Sequence, residues 1–299
     1  MDNREEVREF LTSRRARISP ERAGLPAGPR RRVPGLRRSE VAALADMSVE
    51  YYAKLERGTL AGVSPAVLEA VARALQLDDA ERAHLLHLAR AADGSDLLAR
   101  PRRRTGTGRP WTPHRSLQWT LDAVTAGPAF VRNGRMDILA ANPLARAFYS
   151  DLYATGGNQA NLARFQFLDP AARHFYPDWQ AFADMAVAIL RTEAGRDPHD
   201  KDLHDLVGEL STRSDAFRTR WGAHDVRVHG TGTKRFHHPV VGALTLAYEG
   251  LDMAAEPGLT LTVYAAEPGS PSEEGLRLLA SWASTEAPAA PPARTPPAG

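Results

Sequence analysis

Between Ser39 and Gly58 the chain has room for two short helices and one tight turn, and for little else. Val41, Leu44 and Ala45 fall on one face of the first stretch at helical spacing. Asp46, Met47 and Ser48 then interrupt it. Ser48 stands where an N-cap belongs, because its hydroxyl can accept from an early backbone N–H of a helix running from Val49 to Arg57. Gly58 supplies the stop. Ala42, Ala43 and Ala45 are small enough to let the two helices approach closely. Tyr52 and Leu55, three apart, turn toward a core, which leaves Val49, Glu50, Tyr51, Ala53 and Lys54 on the outer side.

The flanking sequence adds three more helices. Val7, Phe10 and Leu11 form a short apolar stripe that Ser19-Pro20 ends. Ser64-Pro65 pairs an N-cap serine with a proline at the first helical position, and Val67, Leu68, Val71, Ala72 and Leu75 follow as a buried side. Asp78 and Glu81 have the spacing of a capping box ahead of Leu85, Leu86 and Leu88. Residues 1–92 therefore read as a five-helix α domain containing a helix-turn-helix, a unit that places its second helix in the major groove of DNA. Charge points the same way. Residues 1–110 hold 21 Lys/Arg against 15 Asp/Glu, and residues 111–299 hold 17 against 21. Nucleic acid is expected at the basic end.

Residues 93–113, rich in Gly, Pro and Arg, read as a basic linker. Residues 114–280 mix two periodicities. Ser116–Val124 has helical character. Ala129–Arg132 and Met136–Leu139 flank Asn133-Gly134, a hairpin signal because both residues tolerate positive φ. Asn142-Pro143 opens a helix through Phe148. Trp179 to Leu190, and Leu203 to Leu210, repeat at helical spacing. Val226 and Val228 alternate before a turn at Gly230-Thr231-Gly232, and the runs Leu244–Tyr248 and Leu259–Val263 alternate again. Strands, a helical middle and a closing group of antiparallel strands make an α/β PAS-like domain the expected fold. Residues 281–299 are Pro-rich and nearly free of large apolar side chains, so a disordered tail is expected there.

Several chemistries are disfavoured. The absence of cysteine removes disulfides, thiolate nucleophiles and cysteine-ligated zinc. Seven of the ten histidines lie between His174 and His238, yet none has a metal-ligand spacing, so no metal is expected. Gly230 to Lys234 lacks the spacing of a phosphate loop, and no nucleophile elbow is present. Neither an enzyme nor a bound cofactor is expected. The charged N-terminus and the lack of a long apolar run argue against a secretory signal and a membrane span, and for a cytoplasmic protein. A helix-turn-helix scaffold for protein interaction, without specific DNA readout, is the alternative.

Leu36 to Gly58, LRRSEVAALADMSVEYYAKLERG, resembles the XRE (lambda-repressor-like) helix-turn-helix family. The resemblance implies that Glu50 and Lys54 read bases from a surface that also includes Ser48, Val49 and Tyr51, with Arg38 at a phosphate. The family pattern is departed from at Pro20 to Pro34, a longer connection whose Arg30, Arg31 and Arg32 could grip phosphates. Further on, PAFVRNGRMDILAANPLARAFY, NLARFQFLDPAARHFYPDWQAFA, FHHPVVGALTLAYEGL and VYAAEPGSPSEEGLRLLA resemble the ligand-binding domain of MmyB-like transcription regulators. That resemblance implies an apolar pocket for a small, fatty-acid-like ligand. Phe130, Phe165, Phe167, Trp179, Phe182 and Trp221 are the expected apolar wall, and Arg164, Asn142 and His237 the expected polar anchors. The expected working form is a homodimer on a roughly palindromic double-stranded DNA operator.

Overall fold

The computed structural model describes residues 3–26, 35–93, 111–154, 160–198, 200–222 and 231–286. Five helices build the N-terminal domain: α1 (Asn3–Arg17), α2 (Arg38–Leu44), α3 (Val49–Glu56), α4 (Pro65–Ala74) and α5 (Asp79–Asp93). The expected caps form. Ser48 Oγ accepts from Tyr51 N–H at 3.1 Å and Ser64 Oγ from Val67 N–H at 3.4 Å. Asp78 and Glu81 exchange side-chain-to-backbone bonds at 3.1 and 2.8 Å. Val7, Phe10, Leu11, Val41, Tyr52, Leu55, Leu68, Val71 and Leu88 share one core. Leu44 does not join it and is 39% exposed, so the buried side of α2 is Val41, Ala42 and Ala45. The short α2 turns only a narrow stripe inward.

The second domain opens with α6 (Arg115–Ala123), β1 (Ala129–Asn133) and β2 (Ile138–Ala141). Six helices follow: α7 (Pro143–Phe148), α8 (Ser150–Ala154), α9 (Leu162–Leu168), α10 (Ala171–Phe175), α11 (Trp179–Arg196) and α12 (Lys201–Arg213). Then come α13 (Asp215–Gly222), β3 (Thr231–His238), β4 (Gly242–Asp252), β5 (Leu259–Ala266) and α14 (Pro271–Glu286). The strands form one antiparallel sheet in the order β2-β1-β5-β4-β3, with the helical middle inserted between β2 and β3. This is the PAS-like α/β arrangement expected. One sheet face carries the main core with the inserted helices and α14. On the other, α6 covers β1, β2 and β5 through Leu117, Leu121, Val131 and Leu259.

Three local expectations change. The β1–β2 hairpin forms, but the residue at positive φ is Met136 (φ 66) rather than Asn133 or Gly134. Asn133 instead closes β1, where its side chain brackets Asp137: Nδ2 donates to Asp137 Oδ2 at 2.8 Å, and Oδ1 accepts from Asp137 N–H at 2.9 Å. Thr231 and Gly232, expected in a turn, pair in the sheet with Glu249 and Tyr248, while Val226, Val228 and Gly230 lie outside the described residues. Finally, α14 continues through residues 281–286, the start of the expected tail; residues 287–299 lie outside the described residues, as does most of the expected linker.

The two domains touch. Gly195 of α11 packs on His84 of α5 so closely that a Cβ there would stand 2.5 Å from His84 Cε1. Beside it, the Arg191 guanidinium donates to the Glu6 carboxylate of α1. Both side chains are buried.

Candidate functional site

The helix-turn-helix presents its second helix outward. Glu50 and Lys54 are exposed on α3, as are Ser48 and Val49 around its start, and Tyr51 is half-buried. Tyr52, Leu55 and Glu56 fix the other side of the helix in the core. Glu56 is fully buried and takes two cations on its two oxygens. Arg15 of α1 donates to Oε1 at 2.6 Å, and Arg38 of α2 donates to Oε2. Arg15 also reaches the Leu36 carbonyl at 2.8 Å. Arg38 keeps half of its side chain in solvent and rises above its ordinary pKa, chiefly through the hydrogen bond to Glu56. The expected phosphate ligand is thus held at a fixed angle by the base of the recognition helix. Arg31 and Arg32 lie outside the described residues.

The second domain has a pocket between the sheet, α9 and α11, open to solvent on one side, with about 590 Å³ of empty space when the solvent at its mouth is included. Of the residues expected at the ligand wall, Phe130 and Phe182 line this pocket. Met136, Leu162, Met185, Ala186 and Ile189 complete the apolar wall. Its floor is a cluster of tyrosines. Tyr149 Oη lies 3.3 Å from Tyr264 Oη, with Tyr176 alongside. Burial raises all three pKa values, that of Tyr264 to about 12, so their hydroxyls stay neutral donors.

Two cations enter this wall from the strands. Lys234 Nζ sits 3.8 Å from the centre of the Tyr248 ring and 5.6 Å from that of Tyr264. Burial, and then the Arg132 charge, pull its pKa down to about 7. Burial lowers Arg132 as well, and it donates a long hydrogen bond, 3.4 Å, to the Asn133 carbonyl. Among the described residues no carboxylate lies within ion-pair distance of either. The pattern was available in the sequence. Arg132 alternates with Phe130 on β1, and Lys234 with Phe236 on β3, so the pleat turns each toward the same side as a buried aromatic.

The other expected ligand residues do not line the cavity. Asn142 is an N-cap whose oxygen accepts from Ala145 N–H at 2.7 Å and Ala129 N–H at 3.1 Å, while its amide donates to Val124 and Gly127. Arg164 is paired with Glu209 at 2.8 Å. His237 packs edge-on against His174, its ring centre 4.6 Å away. Phe165 packs on Phe175 and Tyr176, Phe167 on Trp179 and Phe217. Trp179 donates to the Gln166 carbonyl at 3.1 Å. Trp221 stacks on Phe217 and lies under Arg191. These aromatics make core, which is the commoner use of such residues.

A family model described as the MmyB-like transcription regulator ligand binding domain matches residues 113–279, more than half of the chain. The chain belongs to the MmyB-like transcription regulators. A helix-turn-helix domain model matches residues 8–85 of this MmyB-like chain. The two matched units are a DNA-binding head and a small-molecule domain, neither of them catalytic. No curated protein matches the chain closely enough to count as a relative. Among the described residues, no three His, Asp or Glu side chains gather as metal ligands, and no helix is long and apolar enough to cross a membrane.

Proposed function

We propose that this regulator reads operator DNA through Glu50 and Lys54 and is controlled by an amphipathic carboxylate of fatty-acid type. The carboxylate lies against Lys234 and Arg132, and the chain against Phe130, Phe182 and Ile189. The observation that carries the ligand reading is Lys234, half-buried in an aromatic wall beside Arg132, with no carboxylate among the described residues in ion-pair contact with either and with Asp252 and Glu193 acting on Arg132 only from a distance. A buried charge without a counter-ion is costly, and a ligand carboxylate supplies the missing partner through charge-assisted hydrogen bonds. The neutral tyrosine hydroxyls donate to the same head. On the DNA side, Lys54 can donate to guanine and Glu50 accept from cytosine, while Arg38, angled by Glu56, offers its free N–H groups to a phosphate. A homodimer would place two such helices on a palindromic site.

Titration calorimetry with dodecanoate and dodecanol tests the ligand reading. Dodecanoate should bind at least tenfold more tightly, and Lys234→Met should abolish that preference. Equal binding of alcohol and acid by the unmodified protein would sink the carboxylate assignment.

A further inference from the structure

One helix faces both sites. In α11, Phe182, Met185, Ala186 and Ile189 line the cavity. At 100° per residue these four fall within one third of the helix circumference. Arg191 and Gly195 lie on the opposite side, and these are the residues that meet the DNA-binding domain. No glycine or proline interrupts the helix between Phe182 and Gly195, so a shift of its cavity face moves the docking face with it.

The docking contact is built to register such a shift. Arg191 is held from three sides: one N–H goes to Glu6, another to the Trp221 carbonyl, and the guanidinium lies 4.3 Å from the centre of the Trp221 ring. Gly195 leaves no slack against His84. On the far side, α1 carries Glu6 near its start and Arg15 near its end, and Arg15 grips Glu56 at the base of the recognition helix. Close-packed contacts of this kind have discrete arrangements rather than a continuous range.

We propose that α11 is the lever by which cavity occupancy sets the docking of the DNA-binding domain, with Glu6–Arg191 as its latch. The inference rests on the cavity being a ligand site but not on which ligand it takes. A ligand acts through this lever only to the extent that it binds the latched and unlatched forms with different affinity.

Hydrogen exchange on the full chain tests it without a natural ligand. Met185→Trp fills the cavity from α11, and Ala186→Leu does so from the next position should the first variant not fold. Either should change amide exchange in α1 and α5 at least threefold. Glu6→Gln, or Arg191→Met, should remove that response while leaving the change around the cavity. A cavity filler that alters only second-domain peptides overturns the lever, and so does a response in α1 that survives both latch variants. Dodecanoate separates the two readings. If it protects the cavity and leaves α1 and α5 unchanged, the lever is overturned. If it does not bind but the variants couple as stated, the lever stands and the carboxylate reading falls.

Discussion

Arg38 and Glu56 meet at the base of the recognition helix, with one guanidinium edge on a fully buried carboxylate and half of the arginine side chain in solvent. The same carboxylate holds Arg15, so Glu56 ties together α1, α2 and α3. Removing its charge leaves two arginines without their partner. Glu56→Gln should destabilise the N-terminal domain by about 1.5–3 kcal/mol, the range for hydrogen bonds to charged groups. The cost should stay below that of a fully enclosed pair, because Arg38 can turn to water. Urea unfolding of the full chain checks this; a midpoint equal to that of the unmodified protein would remove Glu56 from its organising role.

Arg38 and Lys54 should behave differently on DNA. Selection from random duplexes first defines the preferred site. Lys54→Ala should then cost about 1–3 kcal/mol on that site and relax preference at one base pair, as for a base-reading cation. Arg38→Ala should weaken binding to every sequence and flatten the dependence of log K on log salt by about one unit, as for a phosphate contact. Identical behaviour of the two variants would void the assignment.

Lys234 gives the ligand site a pH signature. With its pKa pulled down to about 7 by burial and by Arg132, the lysine is charged below that pH whether or not a ligand is present. A carboxylate beside it favours the ammonium form and raises its pKa. Dodecanoate affinity should therefore be flat from about pH 7 down to about pH 5, where the ligand's own carboxyl begins to protonate, and fall above pH 7, by up to about tenfold per pH unit until the pKa of the complex is passed. Calorimetry in buffers of different ionisation enthalpy should find proton uptake on binding at pH 8 and almost none at pH 6. Lys234→Met should show neither effect.

Gly195 is required by contact rather than by backbone angle. A methyl group there enters the His84 ring, and His84 is buried. Gly195→Ala should cost about 1–3 kcal/mol, the usual penalty for overpacking, and the cost should fall on the contact between domains. Calorimetric unfolding should resolve two transitions where the unmodified chain gives more nearly one. A single unshifted transition would show that the contact between Gly195 and His84 tolerates the methyl group and is not where the domains support each other.

Local chemistry made the first domain legible. Caps at Ser48, Ser64 and Asp78, a stop at Gly58 and apolar stripes of period 3.6 are decided within a few residues of chain, and so was the outward face of α3. In the second domain the β1–β2 hairpin, α6, α7, α11, α12, β4 and β5 followed from alternating and helical runs in the same way, whereas the shorter helices α8, α9, α10 and α13, and α14, were not marked by such runs, and β3 begins where a turn was expected. What lines the cavity did not follow from such runs. Phe165, Phe167, Trp179 and Trp221 carry the same apolar signal as Phe130 and Phe182, and only the path of α9 to α13 over the sheet sorts core from wall. Arg164 and Arg132 are both arginines in family-like segments, but Glu209, forty-five residues away, pairs with the first, whereas among the described residues Asp252 and Glu193 reach the second only at a distance, with no ion pair. Pairing across the domains, Glu6 with Arg191 and His84 with Gly195, spans more than a hundred residues. The sequence determined which elements form and which faces are apolar, since those depend on near neighbours. Only the tertiary structure decided which charges are compensated, because compensation is a matter of distance in space.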